Sequence, residues 1–508
     1  MSQALNRHHM LLSESITLNG GYTFQIIGDA FCSAFTTAKD GLDAELDAQR
    51  ALASEKRGAT GAIRVRMALH TGRAEVQIGE YTSGEYVSGL TLSRAARLLS
   101  AGLGGQILVS LATAELVRDH LPKGTTLRDL GAHRLKDLIR PEHIFQVIVP
   151  DLPAEFLPLK TLDTHPNNLP IQLTSFVGRE QEMARVKEIL GGARFLTLTG
   201  TGGTGKTRLA IQVAAELIDE FPDGVWFIEL ASLGDPALIP QTVVSVLGLH
   251  NESGQPLMTV LCDYLRAKTT LLVVDNCELL IDGCSRFADS LLHAAPTLKI
   301  LAASREALGI GGETAYRVPS LSSPPEDFRR LGDFGSLSQY EAVRLFIDRV
   351  LSVQPVFNVT KTNAPAVAKI CHRLDGIPLA IELAAARVKV LSVDQIVTRL
   401  DDAFHLLTGG SRTALPRQQT LRALIDWSHG LLETTERVLF RRLAVFAGGW
   451  RLDAAESICA GDGIETFAVL DLLQNLVDKS LVVVDEQTDQ RLSRYHLLET
   501  VRQYAREK

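Results

Sequence analysis

The sequence predicts an α/β protein of several domains, and three observations carry that prediction. Between residues 171 and 325, apolar β-rich runs (RFLTLTG, GVWFIEL, TTLLVVDN, LKILAAS) alternate with helical segments, the pattern of parallel strands joined by crossover helices. The first of those runs leads through a glycine-rich loop straight into the amphipathic stretch RLAIQVAAELIDEF. The C-terminal part ends in a helix, SLVVVDE, a polar QTDQ turn, RLSRYHLLE and a last helix, the helix-then-hairpin order of a winged helix.

At 508 residues the chain is too long for one core, and roughly three or four domains are expected. Residues 1–150 alternate strand-like runs (Thr23–Ile27, Ile63–His70, Gln106–Ser110, Ile144–Val149) with alanine-rich helical stretches such as LDAELDAQRALASEK, an α+β pattern. Residues 151–170 hold four prolines and few periodic apolar positions and read as a linker. The P-loop-type sheet domain spans 171–325, a helical segment 326–415, and the winged helix 416–508. A composition of 45% hydrophobic and 22% charged residues is that of ordinary globular chains. The net charge of −7 disfavours a general nucleic-acid or membrane-surface binder. Six scattered cysteines without CxxC spacing indicate neither a zinc site nor a disulfide framework. Without an apolar leader or an unbroken apolar run of membrane-spanning length, a cytoplasmic location is expected.

The chemistry concentrates at Gly200-Thr201-Gly202-Gly203-Thr204-Gly205-Lys206-Thr207-Arg208, whose spacing fits G-x-x-x-x-G-K-[ST] between a buried strand and a helix. Glycines let successive N–H groups turn inward, and the helix N-terminus adds positive potential where a phosphate would sit. Lys206 is expected to reach the β- and γ-phosphates and Thr207 to place its hydroxyl on Mg²⁺; a ligand-free glycine turn is the plain alternative. TTLLVVDNCE places Asp275 at a strand end, as a Mg²⁺-holding carboxylate requires, although strands also end in Asp for turn reasons. Asn276 follows and cannot accept a proton, so Glu278 is the substitute candidate for activating water, or hydrolysis is slow. LKILAAS ends in Ser304-Arg305, where the arginine can approach a γ-phosphate and separate ATP from ADP; otherwise it is a surface arginine pairing with Glu306 or Glu313.

FVGRE at Phe176–Glu180, the P-loop, LLVVDN, SRE and DGIPLAIELAA at Asp375–Ala385, in that order, resemble the NB-ARC class of STAND signalling NTPases over residues 171 to 508. The resemblance implies an ATP/ADP-binding core, a helical lid carrying Gly376-Ile377-Pro378, and a winged helix closing over the nucleotide. Val177 and Gly178 resemble its adenine-side contacts, and Pro378 the lid proline that packs on adenine. Where the family has Met-His-Asp, this chain has Leu497-Leu498-Glu499, with His496 too early for the β-phosphate contact.

YTFQIIGDAFCSAF, IRVRMALHTGRAE, SRAARLLSAGLGGQILVS and LGAHRLKDL, over residues 21 to 149, resemble the catalytic domain of class III adenylyl/guanylyl cyclases. Asp29 matches the second of that family's two metal-binding aspartates; the strand carrying the first would precede this series. Arg97 matches the family's arginine and Lys136 its phosphate lysine, whereas Gln25, Tyr86 and Ser93 depart from the purine-selecting lysine, its partner acid and the asparagine. Read without the family, Asp29 is a hairpin-turn residue and Arg97 a helix-face residue. The domain is therefore expected to be a sensor or a homodimerisation unit, not a working cyclase.

The would-be recognition helix near Glu465–Ser480 carries one lysine against Glu465, Asp471 and Asp478, so direct DNA binding is not expected. The main expectation is an ATP/ADP-controlled switch with slow hydrolysis that signals through a protein partner. The alternatives are an active nucleotidyl cyclase regulated by the ATPase, and a transcriptional regulator acting through DNA or a partner.

Overall fold

A computed structural model of the chain describes residues 2–27, 29–55, 64–72, 76–79, 82–86, 89–135, 138, 140–159, 161–172, 174–249, 254–325, 334–400, 406–407, 420–485 and 493–508. It divides into two compact units, Met1–Ser175 with Ile218–Glu220, and Phe176–Leu217 with Phe221–Lys508.

In the first unit, helix α1 (Ser2–Leu18) precedes a hairpin of β1 (Tyr22–Ile27) and β2 (Ala30–Ala34), and Asp29 lies exposed in its turn. Helix α2 (Ala38–Ser54) starts where the Thr37 side chain accepts the N–H of Asp40, and it buries Leu42, Leu46, Gln49 and Leu52 at helical spacing. Strand β3 (Met67–Leu69) runs parallel to β6 (Ile107–Ser110), followed by β8 (Glu142–Ile148) and β7 (Thr126–His133), both antiparallel. A hairpin of β4 (Val76–Gly79) and β5 (Thr82–Tyr86) precedes α3 (Gly89–Ala101), and α4 (Leu111–Val117) follows β6. Leu11, Leu42, Leu46, Val109 and Phe145 share one core. The proline-rich stretch 151–170 departs from the expected linker. Leu159, Leu162 and Leu169 are buried, and Gln146 Nε2 donates to the Ala154 carbonyl at 2.8 Å. Prolines remove donors from this segment without preventing its leucines from packing.

The second unit is built on five parallel strands in the order β10 (Val225–Glu229), β11 (Leu271–Asp275), β12 (Lys299–Ala303), β9 (Phe195–Thr199), β13 (Glu313–Arg317). Every residue of β11 is buried, as expected for a strand covered on both faces. Helices α5 (Glu180–Gly192), α6 (Lys206–Glu216), α7 (Ile239–Val246), α8 (Leu257–Leu265) and α9 (Ile281–Ala294) supply the cover and crossovers. Because β12 lies between β9 and β11, the loops leaving β9, β12 and β11 meet at one edge of the sheet.

Helices α10 (Glu341–Val353), α11 (Ala364–Arg373), α12 (Pro378–Arg387) and α13 (Val393–Arg399) form the lid. The winged helix comprises helices Thr434–Leu443, Leu452–Cys459 and Ala468–Asp478, the sheet β14 (Trp450–Arg451), β16 (Arg494–His496), β15 (Val483–Asp485), and a final helix Glu499–Glu507. One hydrophobic core runs from Leu321 through Phe346 and Ile381 to Phe440 and Tyr504, so lid and winged helix pack as a continuous body.

Candidate functional site

Backbone geometry makes the loop after β9 possible. Gly203 (φ +81°) and Gly205 (φ +88°) are left-handed, and so is Gly200 (φ +143°), where a Cβ would come within 3.1 Å of the Val318 carbonyl oxygen. The loop then opens α6, whose positive N-terminal end faces the loop.

Thr207 Oγ1 donates to Asp275 Oδ1 at 2.8 Å, which brings the first turn of α6 onto the end of β11 across the intervening β12. Asn276 Nδ2 donates to the other carboxylate oxygen at 2.8 Å. Asp275 is 4% exposed, and burial, with a smaller push from neighbouring Glu278, raises its pKa to about 6 against the opposing pull of Thr207 and Lys206. Lys206 Nζ donates to the carbonyls of Gly200 (2.7 Å) and Thr201 (3.0 Å), folded back over its own loop.

Arg305 is not on the surface: it is 4% exposed, and Nε lies 3.7 Å from Glu278 Oε1. Neither Glu306 nor Glu313 is the partner found at that distance; Glu313 accepts the N–H groups of Leu308 and Gly309 instead. The 3-10 turn Cys277–Leu279, entered through left-handed Asn276 (φ 62°), brings Glu278 to the arginine. Glu278 is thus engaged by a cation. Ser304 Oγ, buried at the end of β12, has no hydrogen-bond partner, an unmade polar contact at the same edge.

The lid closes one side. Leu379 N–H donates to the Gly203 carbonyl at 3.3 Å, and Pro378 Cγ lies 4.0 Å from where a Gly205 Cβ would stand. Arg208 Nη1 lies 3.8 Å from Glu382 Oε1 on α12. Val177 packs against the lid core, and Gly178 (φ +75°) sits where a Cβ would meet the Glu341 carboxylate at 2.8 Å. The winged helix closes the other side: Ser480 Oγ donates to the Arg305 carbonyl at 2.7 Å. Thr201, Gly202, Ile377, Lys479 and Thr500 line a small cleft between these parts.

Arg179 escaped the sequence reading of the site. It is 3% exposed, and Nη2 donates to the carbonyls of Thr204 and Pro319, each at 2.8 Å, while its N–H donates to Glu341 Oε1 at 2.6 Å. The one available signal was its place inside FVGRE. Of the cyclase-like residues, Asp29 occupies the exposed hairpin turn, Arg97 lies on α3, and Lys136 is outside the described residues. Among the described residues no group of three His, Cys, Asp or Glu is arranged to hold a metal ion. No described helix is long and apolar enough to cross a membrane.

The AAA domain family matches residues 188–309, and the winged helix-turn-helix domain family matches residues 432–508. The chain is 49% identical over 323 residues to the Mycobacterium tuberculosis protein named "Putative HTH-type transcriptional regulator Rv0890c", covering 64% of this chain and 34% of the relative. It thus spans about a third of that relative's length. It is 42% identical over 337 residues to the uncharacterized protein Rv0894 of the same organism, covering 66% of this chain and 81% of the relative. Among solved structures, the Walker-type ATPase paby2304 of Pyrococcus abyssi aligns with 15% identity and a TM-score of 0.42, over 65% of this chain and 95% of that one. The chain therefore joins a P-loop ATPase-like module in a mixed α/β fold to a C-terminal winged helix-turn-helix domain.

Proposed function

The chain belongs to the family of the mycobacterial protein Rv0894, and from that premise we propose that it is a STAND-type, NB-ARC-like switch read out by ATP or ADP rather than a fast motor. The observation that carries the reading is the convergence of three parts on the edge of the sheet that carries the glycine loop. The sheet offers Thr207 and Asp275, the lid touches Gly203 through Leu379, and the winged helix touches the carbonyl of Arg305 through Ser480.

The donor set fits Mg²⁺ and a nucleotide triphosphate: a hydroxyl and a carboxylate already in contact, a lysine, and a left-handed glycine loop without side chains in the way. In this reading Thr207 and Asp275 hold the metal, which supplies charge neutralisation for the phosphates. Lys206 exchanges its two carbonyl partners for phosphate oxygens, and Arg305 leaves Glu278 to meet the γ-phosphate. Val177, Gly178 and Pro378 form the base side. With Asn276, which cannot take a proton, standing directly after Asp275, water activation is weak and turnover slow in this reading. A switch needs that persistence: moving an equilibrium from 1:99 to 99:1 requires about 5.5 kcal/mol of differential affinity, a demand that charge-assisted contacts can meet. The first unit serves in this reading as a cyclase-like sensor or dimerisation module rather than as a catalyst. Its Asp29 stands exposed in the β1–β2 turn, the position of a hairpin-turn residue.

The experiment is titration of the purified chain with a fluorescent ADP and ATP in Mg²⁺. Nucleotide binding should be weakened about 10–100-fold by Lys206→Ala, the worth of one charge-assisted contact. Steady-state turnover of tens per second without a partner, or no retention of adenine nucleotide, would sink the proposal. A second reading, transcription control through DNA, is favoured by the winged helix-turn-helix match. Salt-dependent duplex binding, measured on the same preparation, decides it.

A further inference from the structure

The helix-turn-helix of the winged domain is the part of a DNA reader that enters a groove, and here its chemistry is wrong for phosphate. From Leu452 to Asp478 the chain holds six acids (Asp453, Glu456, Asp462, Glu465, Asp471, Asp478) and no lysine or arginine. Two cations packed against it are already committed. Arg442 donates to the carbonyls of Cys459 and Gly461 at 2.6 Å each and stands 3.7 Å from Asp462. Lys479 Nζ is held by Glu436 at 2.7 and 2.9 Å.

The helix Ala468–Asp478 buries Val469, Leu473 and Leu476, and its opposite face is open. Phe467, immediately before it, is 80% exposed, and Leu470, one turn on, is 47% exposed. Asp471, Gln474, Asn475 and Asp478 continue the same exposed face at helical spacing. On the preceding helix Ile458 is 57% exposed. An exposed aromatic next to an exposed leucine, bordered by acids, has the anatomy of a protein-binding patch, with apolar anchors inside a charged rim.

We infer that this face docks a basic amphipathic segment of another protein, whose apolar side chains cover Phe467 and Leu470 and whose lysines or arginines meet Asp471 and Asp478. DNA is the disfavoured occupant. Every phosphate brought to this surface would lie within a Debye length, about 8–10 Å, of carboxylates, with exposed Arg451 at the cap of the first helix set against six acids. A basic peptide meets the opposite field, so acids that repel a duplex speed its association. The inference does not depend on the nucleotide reading, since the face lies on the winged domain's own helices and its test needs no nucleotide.

The test titrates the intact chain by fluorescence anisotropy with three labelled probes: a short helical Leu/Lys peptide, its Leu/Glu counterpart, and a duplex of about 20 base pairs. The expected result is preference for the Leu/Lys peptide, weakened about tenfold or more by Phe467→Asp, as for the loss of an interface anchor. The double charge reversal Asp471→Lys with Asp478→Lys should turn the preference toward the Leu/Glu peptide. All three positions are exposed, and an unchanged melting curve for each variant verifies that the fold is intact. Failure of the Leu/Lys peptide to bind, equal binding by wild type and Phe467→Asp, or duplex binding abolished by Phe467→Asp would each overturn the inference, the last by naming nucleic acid as the occupant.

Discussion

Gly376 sits at the junction where the lid meets the nucleotide domain, and replacing it with alanine tests whether that junction is rigid. Its φ is +64°, and an added Cβ would stand 2.1 Å from the Leu321 carbonyl oxygen, far inside contact distance and against backbone that cannot rotate away. The left-handed conformation alone costs an alanine about 1 kcal/mol. Relieving the clash means displacing the Leu321 segment or the turn, which endangers the 3.0 Å bond from Leu321 N–H to the Gly376 carbonyl. Overpacking of this kind costs about 1–3 kcal/mol and a lost hydrogen bond about 1 more, so with the conformational part a total of about 3–5 kcal/mol is expected. Gly248 supplies the control: φ is +67° with nothing within 4 Å of its would-be Cβ, so Gly248→Ala should cost only the conformational part. In chemical denaturation the Gly376 variant should lose several-fold more stability than the Gly248 variant. Because Ile377 and Pro378 follow directly, its nucleotide affinity should fall as well. Equal destabilisation of the two variants would refute the claim that the Leu321 contact, rather than backbone conformation, makes glycine necessary.

Arg179→Met leaves the Thr204 and Pro319 carbonyls without their shared donor inside a buried site, so a loss of about 2–4 kcal/mol by denaturant melting and weaker nucleotide binding are expected. Arg179→Lys should recover little of that loss, because a single ammonium lacks the guanidinium's fork. Lys479→Met strands Glu436, 1% exposed, and should cost about 3–5 kcal/mol, with Glu436→Gln restoring much of it in the double variant. The pH dependence follows from Asp275 and Asp375, whose pKa values burial raises to about 6. The folded chain binds these protons more tightly than the unfolded chain does. Their contribution to stability is therefore fully present below about pH 4, declines as pH rises from about 4 to about 6, and is flat above. Asp375→Asn should remove about half of that slope in denaturation curves taken across the interval.

The glycine loop, its strand and helix, and the carboxylate at the end of β11 were legible because each has a local signature. Left-handed turns need glycine, buried strands need unbroken apolar runs, and a metal carboxylate needs a strand end. Contacts made by backbone carbonyls leave no such trace. Arg179 is held by the carbonyls of Thr204 and Pro319, one of them 140 positions away in sequence, and nothing in the identity of either residue announces an acceptor. The plain alternative for Arg305, beside its approach to a γ-phosphate, paired it with Glu306 or Glu313 because they are near in sequence, whereas the left-handed Asn276 and the turn after it deliver Glu278 instead. Residues 151–170 carry the composition of a linker, yet three buried leucines spaced too irregularly for a helix or strand pattern tie them down.

The same blindness covers the contacts between the lid and the winged domain. Asp375 adopts a left-handed φ of 54°, unfavourable for a residue with a Cβ, and its carboxylate accepts the N–H (3.0 Å) and hydroxyl (3.1 Å) of Thr500 at the start of the last helix. An acid from the lid thus satisfies donors at the head of a helix in the winged domain, where the helix's positive end favours negative charge. A few residues further on, the lid meets the glycine loop through Pro378 and Leu379, while Ser480 independently ties the winged domain to the carbonyl of Arg305. The winged domain is therefore held by these two contacts, by the bond from Arg317 Nη2 on β13 to the Val482 carbonyl (3.1 Å), and by the apolar core it shares with the lid. In the proposed switch, moving the winged domain must therefore break these hydrogen bonds and also reopen the apolar core that it shares with the lid.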